Sequence, residues 1–155
     1  MTDNRREKIK MNPNEVLGFI EGQQNLQVAS LGADGWPHLT TLWFSLLESR
    51  VVFGTYTRSQ KIVNLKRDPR ITVLVEDGKI YEELRGVMIK GKAILENKPD
   101  QVRHCALEIM KRNQLGVADN DLKDIAEQWA AKRTIVIVEP VETISWDHTK
   151  LSDSR

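Results

Sequence analysis

The stretch Val51–Val75, VVFGTYTRSQKIVNLKRDPRITVLV, joins two strands through a polar turn and a short helix, and the rest of the chain is arranged on either side of it. Val51, Val52 and Phe53 are β-branched or aromatic and predict a strand that Gly54 closes. Thr55, Tyr56, Thr57, Arg58 and Ser59 then gather hydroxyls and a guanidinium at one point. Ser59 is placed to cap a helix whose apolar face carries Ile62 and Leu65. That helix must end near Arg67, because Pro69 disfavours the helical region for Asp68, and Ile71–Val75 returns as a strand. A helix start offers unpaired N–H groups and the positive end of the macrodipole, and Arg58 and Lys61 flank this one. Two readings are open: a site for an anionic group such as phosphate, or a capped surface helix with solvated charges.

Upstream, Met1–Lys10 is polar and basic and reads as an arm over residues 1–11. Asn12-Pro13-Asn14-Glu15 predicts a capped helix start, with Met11 and Val16 placed as a hydrophobic staple and the helix running to about Gly22. Leu26–Leu31 predicts a strand, Asp34-Gly35 a hairpin turn, and Leu39–Leu47 the returning strand. Inside that strand Leu42, Trp43 and Phe44 are consecutive apolar residues, which implies cover on both faces, by core or by a ligand.

Downstream, Val87–Leu95 predicts a strand with Lys90 and Lys92 turned away from Ile89 and Gly91. Val102, Cys105, Ala106 and Ile109 mark one helical face, and Leu122, Ile125, Ala126 and Trp129 a second. Thr134–Val138 is the last clear strand; Pro140 interrupts it and Val141–Trp146 resumes. The expected organisation is one domain over residues 12–151 with a short tail at 152–155.

Composition excludes several classes. A chain of 155 residues with 40% hydrophobic and 29% charged residues fits one globular domain. A formal net charge of +1 gives no pull toward nucleic acid. No apolar run approaches the roughly 20 residues of a membrane span, and the polar start lacks the apolar core of an export signal. One cysteine, Cys105, fits a reducing compartment, so a cytoplasmic location is expected. His38, His104 and His148 are too scattered for a metal site, no Gly-x-Ser-x-Gly elbow is present, and no Gly-rich dinucleotide fingerprint follows a strand. These absences favour a bound cofactor that carries the reactive group.

The central run resembles the phosphate-binding segment of the pyridoxamine 5′-phosphate oxidase-like split β-barrels, a family that includes flavin- and deazaflavin-dependent reductases. Thr55, Ser59, Lys61, Asn64, Leu65, Asp68, Pro69 and Arg70 match its order and gaps, and a looser likeness runs from about Pro13 to Leu151. Gln60-Lys61 stands where the oxidases often carry Arg-Lys, which suits the reductase branch. The resemblance implies a mainly β fold, a six-stranded antiparallel split β-barrel with flanking helices. It implies FMN as cofactor, with the deazaflavin coenzyme F-420 as the alternative, and a small organic acceptor. In that picture Arg58, Ser59 and Lys61 hold the phosphate, Thr55 and Tyr56 seat the ribityl chain, and Thr41, Leu42 and Trp43 lie along the ring. It further implies a homodimer in which Trp146 and Lys150 reach toward the neighbour's cofactor, although Trp146 equally reads as a core anchor. The rival function is a non-catalytic protein that stores or senses a flavin or haem in the same groove.

Overall fold

The computed structural model describes residues 4–114 and 116–154, so residues 1–3 of the expected arm and Arg155 of the tail lie outside the described residues. Seven strands form: β1 (Asn25–Leu31), β2 (Pro37–Trp43), β3 (Ser45–Leu47), β4 (Arg50–Tyr56), β5 (Arg70–Asp77), β6 (Arg85–Glu96) and β7 (Arg133–Asp147). All neighbours are antiparallel, in the order β2-β1-β5-β6-β7-β4-β3. β2 and β3 stand at opposite edges of this sheet, yet only Phe44 separates them in sequence. The sheet must therefore curl until its two edges meet. The single strand expected over 39–47 is two strands because the chain changes partner at Phe44, from β1 to β4; counted as one, they restore the six strands of the expected barrel.

The curl gives two cores. Leu26, Val28, Val51, Phe53, Val73, Val75, Val87, Val136 and Val138 point into the barrel, closed at its ends by Phe19 and Ile20 of helix α2 (Pro13–Glu21) and by Ile62 and Leu65 of α3 (Gln60–Arg67). Val52, Ile135 and Ile137 point the other way, onto α4 (Pro99–Asn113) and α5 (Asp119–Ala130). β4 is thus covered on both faces, which is why it reads as an unbroken apolar run and not as an alternating one. Phe44, wholly buried at the closure point, also packs under the Arg112 guanidinium of α4, 4.8 Å from its ring centre.

Local chemistry sets the element ends. The α2 capping box forms as its residues dictate: Glu15 N–H donates to Asn12 Oδ1 at 2.9 Å and Asn12 N–H to Glu15 Oε2 at 2.7 Å. Met11 and Val16 join the barrel core beside it. Within the expected arm, Arg5–Lys8 form one helical turn, α1, and the chain after it is tied to β7 by Met11 N–H donating to Ser145 Oγ at 3.0 Å. Asp68 leaves the helical region before Pro69, at φ −138°.

Three expectations are corrected. Gly54 does not close its strand, since β4 pairs with β7 as far as Tyr56. Pro140 does not interrupt β7: a register shift opposite Lys90 and Gly91 takes up one extra residue, and a bulge tolerates a missing N–H. Ile125 is 37% exposed; α5 instead buries Leu122, Ala126 and Ala130, spaced by four, and the two alanines let its backbone approach closely.

Candidate functional site

The β3–β4 ladder pairs Ser45 with Val52, Leu46 with Val51 and Leu47 with Arg50. Continued backward, that register would set Trp43 against Gly54, Leu42 against Thr55 and Thr41 against Tyr56. The ladder does not continue, because β2 pairs with β1 instead and leaves β4. The barrel splits there, and the free edges of both strands face the gap. Thr41, Leu42, Trp43, Gly54, Thr55, Tyr56, Lys61, Trp129 and Arg133 line the resulting cleft, of about 240 Å³. Six of the ten residues picked out in the sequence, Thr41, Leu42, Trp43, Thr55, Tyr56 and Lys61, thus meet in one place.

The floor of the cleft is ordered by a short hydrogen-bonded chain. Ser59 Oγ accepts from Ile62 N–H at 3.4 Å as the α3 cap and from Thr55 Oγ1 at 3.2 Å. Ser59 N–H donates to Tyr56 O at 2.8 Å, which fixes the turn, and Thr57 N–H reaches Lys132 O at 3.0 Å. Thr134 donates to Asn97 Oδ1 at 2.6 Å, so its own oxygen accepts from Thr57 Oγ1 at 3.0 Å. Along the next face of α3, Gln60 donates to Asn64 Oδ1 and Asn64 to Ser30 Oγ, at 2.9 and 3.1 Å, pinning the helix to β1.

Electrostatically the cleft is one-signed. Its lining holds two cations, Lys61 and Arg133, and no carboxylate. Lys61 is half-buried, has no hydrogen bond or ion pair among the described residues, and burial lowers its pKa from the ordinary lysine value. An anion beside it would offset the cost that burial puts on its charge. The remaining expected residues are placed elsewhere. Arg58 is exposed and outside the lining. Trp146 lies over Gly86, its register partner on β6, and Lys150 donates to Glu15 Oε2 at 2.6 Å and Lys10 O at 2.8 Å. Within one chain neither is brought to the cleft.

Two lining residues escaped the sequence reading. Trp129 was legible as a helix face that covers the sheet, but not as a cleft wall. Its indole stands where a Gly54 side chain would be, 1.9 Å from an added β-carbon, so the constraint on Gly54 is this ring; its φ is not positive. Arg133 lies between aromatic rings, with its guanidinium carbon 4.2 Å from the Tyr56 centre and 4.5 Å from that of Trp129. Its sequence signal, a basic residue four after Trp129 at a helix end, is the same as that of an ordinary C-terminal cap.

Comparison with known proteins gives the same fold. No curated protein matches the chain. Among solved structures, conserved hypothetical protein Rv2991 from Mycobacterium tuberculosis superposes with a TM-score of 0.89 at 35% identity, over 95% of this chain and 91% of that one. An F-420 reductase gives 0.67 at 20% identity, covering 85% and 98%. HutZ, a haem storage protein from Vibrio cholerae, gives 0.67 at 13% identity, covering 86% and 94%. These last two share the fold. Residues 13–147 match the family model described as pyridoxamine 5′-phosphate oxidase, and the chain belongs to that family of split β-barrels.

Proposed function

We propose that this protein is a flavin- or deazaflavin-dependent oxidoreductase that reduces a small organic acceptor in the cytoplasm. The observation that carries the reading is the unpartnered, half-buried Lys61 in a cleft without carboxylates, directly beneath a polar turn and beside Trp43. A phosphate fits this donor set: Lys61 supplies charge, while Thr55 and Ser59 supply hydroxyls at the helix start. When bound, the flavin or deazaflavin ring supplies hydride chemistry, and the chain's own residues bind and orient it. Thr41, Leu42 and Trp43 offer the free edge of β2 to the ring, and Thr55 and Tyr56 the edge of β4 to the ribityl chain. Haem suits this cleft less well: none of its nine lining residues is His, Cys or Met, and Tyr56, the one lining residue of a haem-ligating type, is stacked against the Arg133 guanidinium.

The working unit in this reading is a homodimer. A cleft of about 240 Å³ is smaller than the roughly 300–1,000 Å³ that engulfs a ligand of this size, and Trp43 and Tyr56 are 40% and 55% exposed on its rim. A second copy would complete it. The outward face of β2, β1, β5, β6 and the second half of β7 carries Leu74, Met88 and Ile144 in register and Leu39 in the adjacent row, whereas the helices pack into the barrel or onto β3, β4 and β7. Trp146 and Lys150 of each copy would then approach the neighbour's site.

Titration with FMN and with coenzyme F-420, followed by absorbance and by reduction and reoxidation, tests the cofactor; saturation at one per chain with redox cycling is expected. A Soret band on haem addition with no flavin binding would establish the storage reading in its place. No described helix is long and apolar enough to cross a membrane. Light scattering reads the oligomeric state. Twice the 17.8 kDa chain mass is expected. A monomer with full cofactor affinity would remove the shared site.

A further inference from the structure

We infer that Arg133, and not Arg58, is the second cation of the anion site, held in place by Trp129 and thereby by Gly54. Arg133 opens β7 opposite Tyr56, so the ladder itself delivers it to the end of β4 where the barrel splits. Its guanidinium is fixed on three sides. Tyr56 and Trp129 flank it with their rings, and Nη1 donates to Trp129 O at 2.9 Å. Its other N–H donors have no acceptor among the described residues. An arginine in that state is a pre-ordered fork: stacking has already removed the side-chain freedom that an anion would otherwise have to freeze out, and the unpaired donors match phosphate geometry. Arg58, by contrast, is exposed and outside the cleft lining, and no hydrogen bond, ion pair or ring contact among the described residues orients it.

The stack rests in turn on β4. The indole of Trp129 occupies the space above Gly54, and any side chain there would lift the ring off the strand and with it the wall against which Arg133 lies. Gly54 and Trp129 are therefore positioning residues, and Arg133 is the group that meets the ligand. This rests on reading the cleft as an anion site, and it adds a specificity: a ligand bearing a dianionic phosphate over the same ring and sugar chain without one.

Inorganic phosphate tests the inference without any flavin. Phosphate should raise the melting temperature of the wild type, Arg133→Gln should abolish that rise, and Arg133→Lys, which keeps the charge but not the planar fork, should restore only part of it. With FMN and riboflavin as paired probes, Arg133→Gln should weaken FMN roughly ten- to a hundredfold and riboflavin less than twofold. Arg58→Gln should cost less than Arg133→Gln. Trp129→Leu should show the Arg133→Gln pattern in weaker form. A phosphate response that survives Arg133→Gln, a larger loss from Arg58→Gln, or equal losses of FMN and riboflavin would each overturn the assignment. An Arg133-dependent phosphate response in a protein that binds neither flavin nor deazaflavin would uphold it and overturn the cofactor reading alone.

Discussion

Two glycines in this barrel lie beneath tryptophan rings, and the two contacts differ in what they serve. At Gly86 an added β-carbon would stand 2.1 Å from Trp146, and at Gly54 it would stand 1.9 Å from Trp129. Trp146 is directly opposite Gly86 in the β6–β7 ladder, so a neighbouring strand fills the gap that the missing side chain leaves. Trp129 comes from α5, and its ring both docks that helix on β4 and backs Arg133 in the cleft. The first contact finishes a sheet surface. The second makes helix packing and site geometry one event, so damage there should spread to binding while damage at Gly86 should stay local.

Gly54→Val tests the spreading contact most severely. It overpacks a buried position against a ring wedged between α5 and the strand, and should cost about 3 kcal/mol, measured by denaturant unfolding, together with most phosphate and cofactor affinity. A variant that keeps wild-type stability while losing ligand would mean that the ligand, and not Trp129, sets the limit at Gly54.

Lys61→Met isolates the cleft from the stack. Ligand affinity should fall roughly ten- to a hundredfold, with Trp129 and Arg133 left in place. Stability should move the other way. The folded-state pKa of Lys61 is lowered by burial, so the unfolded chain holds this proton more tightly, and the penalty is present at neutral pH and relieved as pH rises toward about 10.4. Without ligand, Lys61→Met should melt no lower than wild type at pH 7, and any advantage should shrink as the pH is raised into the alkaline range. A variant that is destabilised at pH 7 would show that Lys61 has a structural partner.

Gly86→Ala should have the smallest effect, about 1 kcal/mol, because Trp146 is only partly buried and can swing away. Cofactor affinity per chain should hold if the Gly86–Trp146 contact is confined to the sheet surface. A large loss of affinity, with stability nearly intact, would instead place Trp146 in a neighbour's site and join the two contacts in function.

Much of this was readable from local chemistry. The α2 capping box, the Ser59 cap, the halt at Asp68-Pro69 and the hairpin at Asp34-Gly35 depend on residues within four positions of one another, and each forms as its side chains dictate. Lys61 and its turn were legible for the same reason: strand, cap, cation and helix are contiguous in the chain. Residues 41–43 were found through the family likeness, and Leu42 and Trp43 also through the apolar run that they form with Phe44, which signals cover on both faces without saying what provides it.

Tertiary structure alone decided the rest. Whether β2 and β3 are one strand or two depends on which partner each edge finds after the sheet has curled, a property of a closed surface and not of any nine-residue window. Arg133 and Trp129 look like a helix cover and its basic cap, and only the meeting of α5, β4 and β7 puts a guanidinium with donors to spare between two rings. Local sequence determines how short segments fold, because those interactions close over a few residues. Which side chains share a cleft is set by register and curvature over the whole sheet, and those become definite only when every strand has its neighbour.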